Sequence, residues 1–170
     1  AAVMFEPHAE VLNRYVNAGL QVGKVQVSSA VILPREVTNS ADLASALEQL
    51  AGFAEDRYLH QTVVQSSDGN STRFYEDLRI ALDEVDLAQA VGTEWRVHFH
   101  VPIYLETFAH LHTSRPDVEA CLATCRQLGL DTSFEVETYA WGVLPSELQV
   151  PELATGIARE IEWFKQLMQT

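Results

Sequence analysis

Apolar and polar positions along this chain follow two periods, and the switches between them mark out the elements. Over residues 8–18 the apolar side chains Val11, Leu12, Tyr15 and Val16 recur at helical spacing, which predicts a helix stopped by Gly19. Residues 23–29 alternate as a strand, and Val31, Ile32 and Leu33 carry the apolar character on to Pro34. Helical spacing returns over Ser40–Ala51 through Leu43, Leu47 and Leu50. Two β-like runs, 58–65 and 72–75, flank Ser66-Ser67-Asp68-Gly69-Asn70, whose Asp-Gly pair predicts a hairpin. Asp77 is placed to cap a helix running towards Val91 and ended by Gly92. A strand over 96–101 follows, then a helix from Pro116 to its stop at Gly129, then a strand over 134–139. The last helix starts near Pro151 and is expected to bury Leu153, Ile157, Ile161, Phe164 and Met168.

Strands alternating with amphipathic helices imply βα units on a parallel sheet, with the hairpin as an insertion. The chain has 170 residues and opens on a helix with no strand before it. A complete (β/α)8 barrel takes about 250 residues. The expected fold is therefore α/β, the C-terminal part of a TIM barrel, in one domain over 1–170.

Two segments carry the candidate chemistry. In Arg96-Val97-His98-Phe99-His100-Val101 the histidines share one strand face and the apolar residues the other. In Phe134-Glu135-Val136-Glu137-Thr138-Tyr139 the two glutamates and the tyrosine oppose Phe134 and Val136. Lys24, Gln26 and Ser28 share a polar face in the same way. In a parallel β/α architecture, function gathers at the C-terminal ends of the strands. Imidazole and carboxylate are common ligands for divalent ions, and a carboxylate there can abstract a proton beside a carbonyl. His100 and Glu137 are the leading ligand candidates, competing with a hydrogen-bonded polar network; His98 and Glu135 lie one layer deeper. Lys24 is expected to pair with Glu135, and His110 and His112 to sit in a solvated loop. His60, from the hairpin, could reach the site, and Trp141 could wall an apolar substrate or pack in the core.

Composition narrows the function classes. Net charge is −13 with 11 basic residues and no basic run, which argues against nucleic acid and against anionic membrane surfaces. No apolar stretch approaches the roughly 20 residues of a membrane span. Cys121 and Cys125, four apart on one helix face, fit reduced thiols in a cytoplasmic protein.

The chain resembles the C-terminal half of xylose-isomerase-like TIM barrels, and within them the EboE-type metabolite-traffic proteins, often labelled putative sugar-phosphate isomerases. The matching stretches are Lys24-Val25-Gln26-Val27-Ser28-Ser29-Ala30, Tyr58-Leu59-His60-Gln61, His98-Phe99-His100-Val101-Pro102-Ile103 and Glu135-Val136-Glu137-Thr138-Tyr139-Ala140-Trp141. The resemblance implies a divalent metal (zinc, manganese or magnesium) held by Glu137 and by His100 or His98, with Gln26 where relatives place another polar ligand. It implies a sugar isomerase or epimerase acting on a small hydroxy-carbonyl metabolite, with Glu137 moving the proton and Gln26, His60 and Trp141 contacting substrate. The strands that supply further ligands in such proteins are absent, so the ligand set in this chain is incomplete. The alternative is a non-catalytic carrier that keeps the pocket to hold a metabolite. A part-barrel would also leave sheet edges open, which implies a homodimer or pairing with an N-terminal part.

Overall fold

A computed structural model describes residues 2–169. Its helices are α1 (His8–Asn17), α2 (Ser40–Ala51), α3 (Leu78–Glu84), α4 (Leu87–Ala90), α5 (Arg115–Gln127) and α6 (Leu153–Leu167). Its strands are β1 (Lys24–Val27), β2 (Ser29–Leu33), β3 (Thr62–Gln65), β4 (Thr72–Tyr75), β5 (Glu94–Val101), β6 (Thr107–Phe108), β7 (Leu111–Thr113) and β8 (Ser133–Val136).

The sheet arrangement overturns the expected barrel. Six strands form an antiparallel sheet in the order β4-β3-β5-β2-β7-β6, and a separate two-stranded parallel sheet joins β1 to β8. The physical reason lies at Ser28. The run 24–33 reads as one strand, but the chain leaves strand geometry at Ser28 and its two halves join different sheets. A further register shift between Ser29 and Val31 marks a bulge just past the break. β5 then runs antiparallel to both β2 and β3 at the centre of the larger sheet. The hairpin β3–β4 forms as expected, yet it is an integral edge of that sheet and no insertion. His112, expected in a loop, lies instead on β7, in a second hairpin with β6.

Local signals account for the helix boundaries. Asn39, Asp77 and Asp86 each accept a hydrogen bond from the backbone N–H two residues on, the standard use of a short polar side chain at a helix start. Asp86 explains why the single helix expected over 77–91 is two: the chain is extended at Val85 and Asp86 before α4 begins. Gly92 and Gly129 adopt φ of +74° and +62°, the left-handed turn that ends a helix and that glycine adopts without strain.

The main core lies under the antiparallel sheet, where Phe53 meets Phe99 edge-to-face with ring centroids 5.0 Å apart. A smaller core covers one face of the parallel pair, with Val27 and Phe134 against Val118 and Leu122 of α5 and Phe164 of α6. Of the α6 face expected to be buried, only Phe164 is; the residues that α6 does bury are Gly156, Glu160 and Phe164. Gly156 has no room for a side chain, because a Cβ there would lie 2.5 Å from the Trp141 ring. Gly156→Ala is therefore expected to cost about 1–3 kcal/mol through overpacking. It should lower the urea midpoint at unchanged slope; an unchanged midpoint would show that the indole can shift freely. None of the described helices is long and apolar enough to cross a membrane.

Candidate functional site

β5 positions the two histidines that the strand period places together. Val97, Phe99 and Val101 point into the core, so His98 and His100 emerge on the opposite face. Their Nε2 atoms face one another at 3.1 Å. The other nitrogen of His100, Nδ1, lies 2.5 Å from the backbone carbonyl of Glu137. A carbonyl oxygen only accepts, so His100 carries a proton on Nδ1, and in the neutral form of the ring the lone pair lies at Nε2. His98 then donates Nε2–H to that lone pair. Burial lowers the His98 pKa first, and the neighbouring His100 lowers it further, while Glu137 acts the other way. His98 is accordingly neutral at pH 7, and the pair shares one N–H between two facing nitrogens.

Glu137 is held here by its main chain. Its N–H donates to the Val27 carbonyl at 2.9 Å, continuing the β1–β8 ladder, and its carbonyl fixes the His100 tautomer. Its carboxylate makes no hydrogen bond to either imidazole among the described residues; its field only adds to the larger effects that raise two neighbouring pKa values, the Glu135 hydrogen bond at Lys24 and burial at Tyr139. The expected Lys24–Glu135 pair forms at 2.7 Å, with both side chains largely in solvent.

A cavity of about 240 Å³ opens beside the pair, with Ser28, Gln61 and Ser114 among its polar walls. One side is the segment Ala2, Val3 and Met4. Arg96 holds that segment by donating to the Ala2 carbonyl at 2.8 Å and stacking its guanidinium 4.2 Å over the Phe5 ring. On the other side of the pair lies a tighter cleft between His60, Tyr58 and Tyr139. The Tyr139 ring sits 4.7 Å from that of His100, and burial, ahead of Glu137 and Tyr58, raises its phenol pKa, so it stays a hydrogen-bond donor.

The remaining sequence candidates are distributed as follows. His60 is buried and bonds Glu55 at 3.1 Å through Nε2, with its backbone N–H on Asp77. It borders the pair, and its own ring nitrogens are engaged. Gln26 lines a different cavity, with His8 and Cys121, away from the histidines. Trp141 packs on Gly156 in the main core and lines neither space beside the pair. Gln61, Ser114 and Tyr139 join the site without having been singled out. Tyr139 carried a signal, since it shares the polar face of its segment with Glu137. Gln61 and Ser114 carried none, because the sheet pairing that brings them in is long-range.

The metal expectation meets a two-nitrogen site. Among the described residues no group of three or more His, Cys, Asp or Glu side chains comes together that could hold a metal ion. His98 and His100, the histidines of the expected ligand set, face one another, and the Glu137 carboxylate makes no hydrogen bond to either among the described residues. Compared with known proteins, the chain matches no family model, no curated sequence and no solved structure.

Proposed function

We propose that the cavity beside β5 binds a small, neutral hydroxy-carbonyl metabolite and that the His98–His100 pair moves a proton on it, as a sugar isomerase or epimerase does. The observation that carries this reading is the facing pair itself: two imidazoles whose Nε2 atoms lie 3.1 Å apart, one anchored through Nδ1 to a backbone carbonyl, at the edge of a polar cavity. Released from the His98 N–H by an entering substrate, the Nε2 lone pair of His100 is a base for the carbon-bound proton next to the carbonyl. His98 Nε2–H supplies a proton to the carbonyl oxygen, giving an enediol. His100 passes the abstracted proton across the 3.1 Å gap to His98 Nε2, which restores both rings, and the same transfers run in reverse at the neighbouring carbon. Ser28, Gln61 and Ser114 offer hydroxyl and amide partners for sugar hydroxyls. Among the described residues no lysine or arginine lines this cavity, which favours a neutral sugar over a phosphorylated one. A volume of about 240 Å³ lies below the 300–1,000 Å³ of drug-sized sites and suits a molecule of a few carbons.

A second reading has its own support. No carboxylate lines the cavity, and general acid–base sites on sugars commonly use one; a carrier needs none. Unbridged, buried Cys121 and Cys125 support a reducing, cytoplasmic setting for either role.

The test is proton NMR in deuterium oxide with glyceraldehyde, erythrose and xylose as probes. Saturation transfer reports binding, and loss of the proton next to the carbonyl reports turnover. Binding with exchange is the expected result. Binding without exchange would select the carrier, and no binding of any probe would overturn both readings. Elemental analysis of the same native protein decides the metal: one zinc or manganese per chain, lost in His98→Ala and His100→Ala, would make the chemistry metal-assisted.

A further inference from the structure

The exposed face of α6 and the free edge of β8 lie side by side. Leu153, Ile157, Ile161 and Met168 are 56%, 39%, 40% and 41% exposed. At about 100° per residue they fall, with buried Phe164, within an arc of roughly 80°. That is an amphipathic stripe of the kind a helix normally buries.

Among the described residues β8 has a strand neighbour on one side, β1, and none on the other. Ser133 donates to the Gly23 carbonyl at 3.1 Å and Glu137 to the Val27 carbonyl at 2.9 Å, so residues 133, 135 and 137 turn their backbone towards β1. By the two-residue period, Phe134 and Val136 turn theirs away, and none of the hydrogen bonds among the described residues uses their N–H or C=O groups. Two-stranded parallel sheets with an open edge are unusual, since parallel pairs are the less stable kind and normally lie inside larger sheets. Between this edge and the α6 stripe runs a groove of about 500 Å³, walled by Phe134 and Val136 on β8, by Thr138 just beyond it, and by Ile157, Ile161, Lys165 and Met168 on the helix side.

We propose that this groove receives an extended segment of a second, basic protein, which adds as a third strand to the outer edge of β8. Its apolar side chains would cover the α6 stripe, and its alternate lysines or arginines would lie beside Glu137 and beside Glu135, where they would share that carboxylate with Lys24. Three observations define this occupant. Unpaired N–H and C=O groups two residues apart are matched by an extended polypeptide backbone, which offers donors and acceptors at the same repeat. Side chains alternate on β8 between the apolar groove face and the face bearing Glu135 and Glu137, so an added strand must alternate in the same way. Charge excludes a second copy as the best partner. Two β8 edges paired with each other would bring glutamates together across the strands, and each chain carries a net −13.

Fluorescence anisotropy on the full chain tests the idea with a dye-labelled octapeptide of alternating lysine and valine as probe. A matched probe, N-methylated at every lysine and valine backbone nitrogen, keeps the charge and removes the strand donors. The native chain should bind the first probe saturably and the second at least about tenfold more weakly, the equivalent of one or two lost hydrogen bonds. Val136→Pro removes an outward-facing N–H and leaves the β1 ladder intact, and should cost a similar factor. The exposed pair Ile157→Ser and Ile161→Ser should also weaken binding without unfolding the chain. Hydrogen exchange at the Phe134 and Val136 amides should slow when the first probe is bound. Equal affinity for the two probes would reduce the effect to charge and overturn the proposal. So would the absence of binding up to about 1 mM, or self-association of the chain that Ile161→Ser abolishes, which would assign the groove to a second copy.

Discussion

Glu160→Leu is expected to lower the unfolding free energy by roughly 2–5 kcal/mol, more than any other single polar substitution in this fold. The Glu160 side chain is 1% exposed. Its Oε1 accepts from the Ile103 N–H at 3.0 Å and the Thr138 hydroxyl at 2.6 Å, tying α6 to the segments that follow β5 and β8. Leucine fills much the same volume and leaves both donors buried without an acceptor, at about 1–3 kcal/mol each. Glu160→Gln keeps an acceptor oxygen and should cost far less, which separates hydrogen bonding from packing. Burial raises the Glu160 pKa, opposed by its hydrogen bonds from Thr138 and Ile103. The Trp141 indole acts in the same lowering direction, yet its N–H makes no hydrogen bond of normal geometry and remains an orphan in the core.

The pH dependence follows from the sign of that shift. A carboxyl whose folded pKa lies above its unfolded value contributes stability below about pH 4.5 and loses it as pH rises through the folded value. Urea midpoints at pH 5 and pH 8 should therefore differ in the native chain in that sense, with the Glu160 contribution missing from Glu160→Gln. A Glu160→Leu chain as stable as the native one would show that this carboxyl ties nothing together.

Strand faces were legible in the sequence because they depend only on neighbours two residues apart. The alternation in 96–101 put His98 and His100 on one face, and the Asp-Gly turn placed the β3–β4 hairpin. Sheet direction was not legible. Alternation reports which face is covered and says nothing about the partner strand, so β5 reads the same inside a parallel barrel or between antiparallel β2 and β3. The break at Ser28 had no local signal, as serine sits comfortably on either side of such a bend. Glu137 was found for its carboxylate, whereas its backbone carbonyl, which any residue could supply, orients His100. The α6 stripe shows the same limit from the other direction. Its period is real, but the described residues leave Leu153, Ile157, Ile161 and Met168 exposed.

The second large effect is expected at His100. His100→Ala removes the bare Nε2 that faces His98 and should weaken binding of the small-sugar probe by about tenfold to a hundredfold, the value of one or two hydrogen bonds in a partly dry site. The same change has a spectroscopic consequence that a merely structural residue would not produce. In the native chain the His98 pKa is lowered from 6.5 by burial and then by the neighbouring imidazole. Deleting that neighbour opens the site and removes the second cause, so the His98 titration followed by imidazole NMR should move up towards 6.5. Because the folded pKa lies below the unfolded one, protonation of His98 favours the unfolded chain, and its contribution to stability is lost as pH falls from about 6.5 through the lowered value. Probe binding should follow the same limb if both rings must be neutral: full at pH 7, falling as His98 gains its proton, and beginning to fall at higher pH in His100→Ala. A His100→Ala chain that binds the probe as well as the native chain, with His98 titrating where it did before, would break the link between the facing imidazoles and the ligand. Loss of binding with an unmoved His98 titration would place the ligand on His100 alone and remove the shared proton from the mechanism.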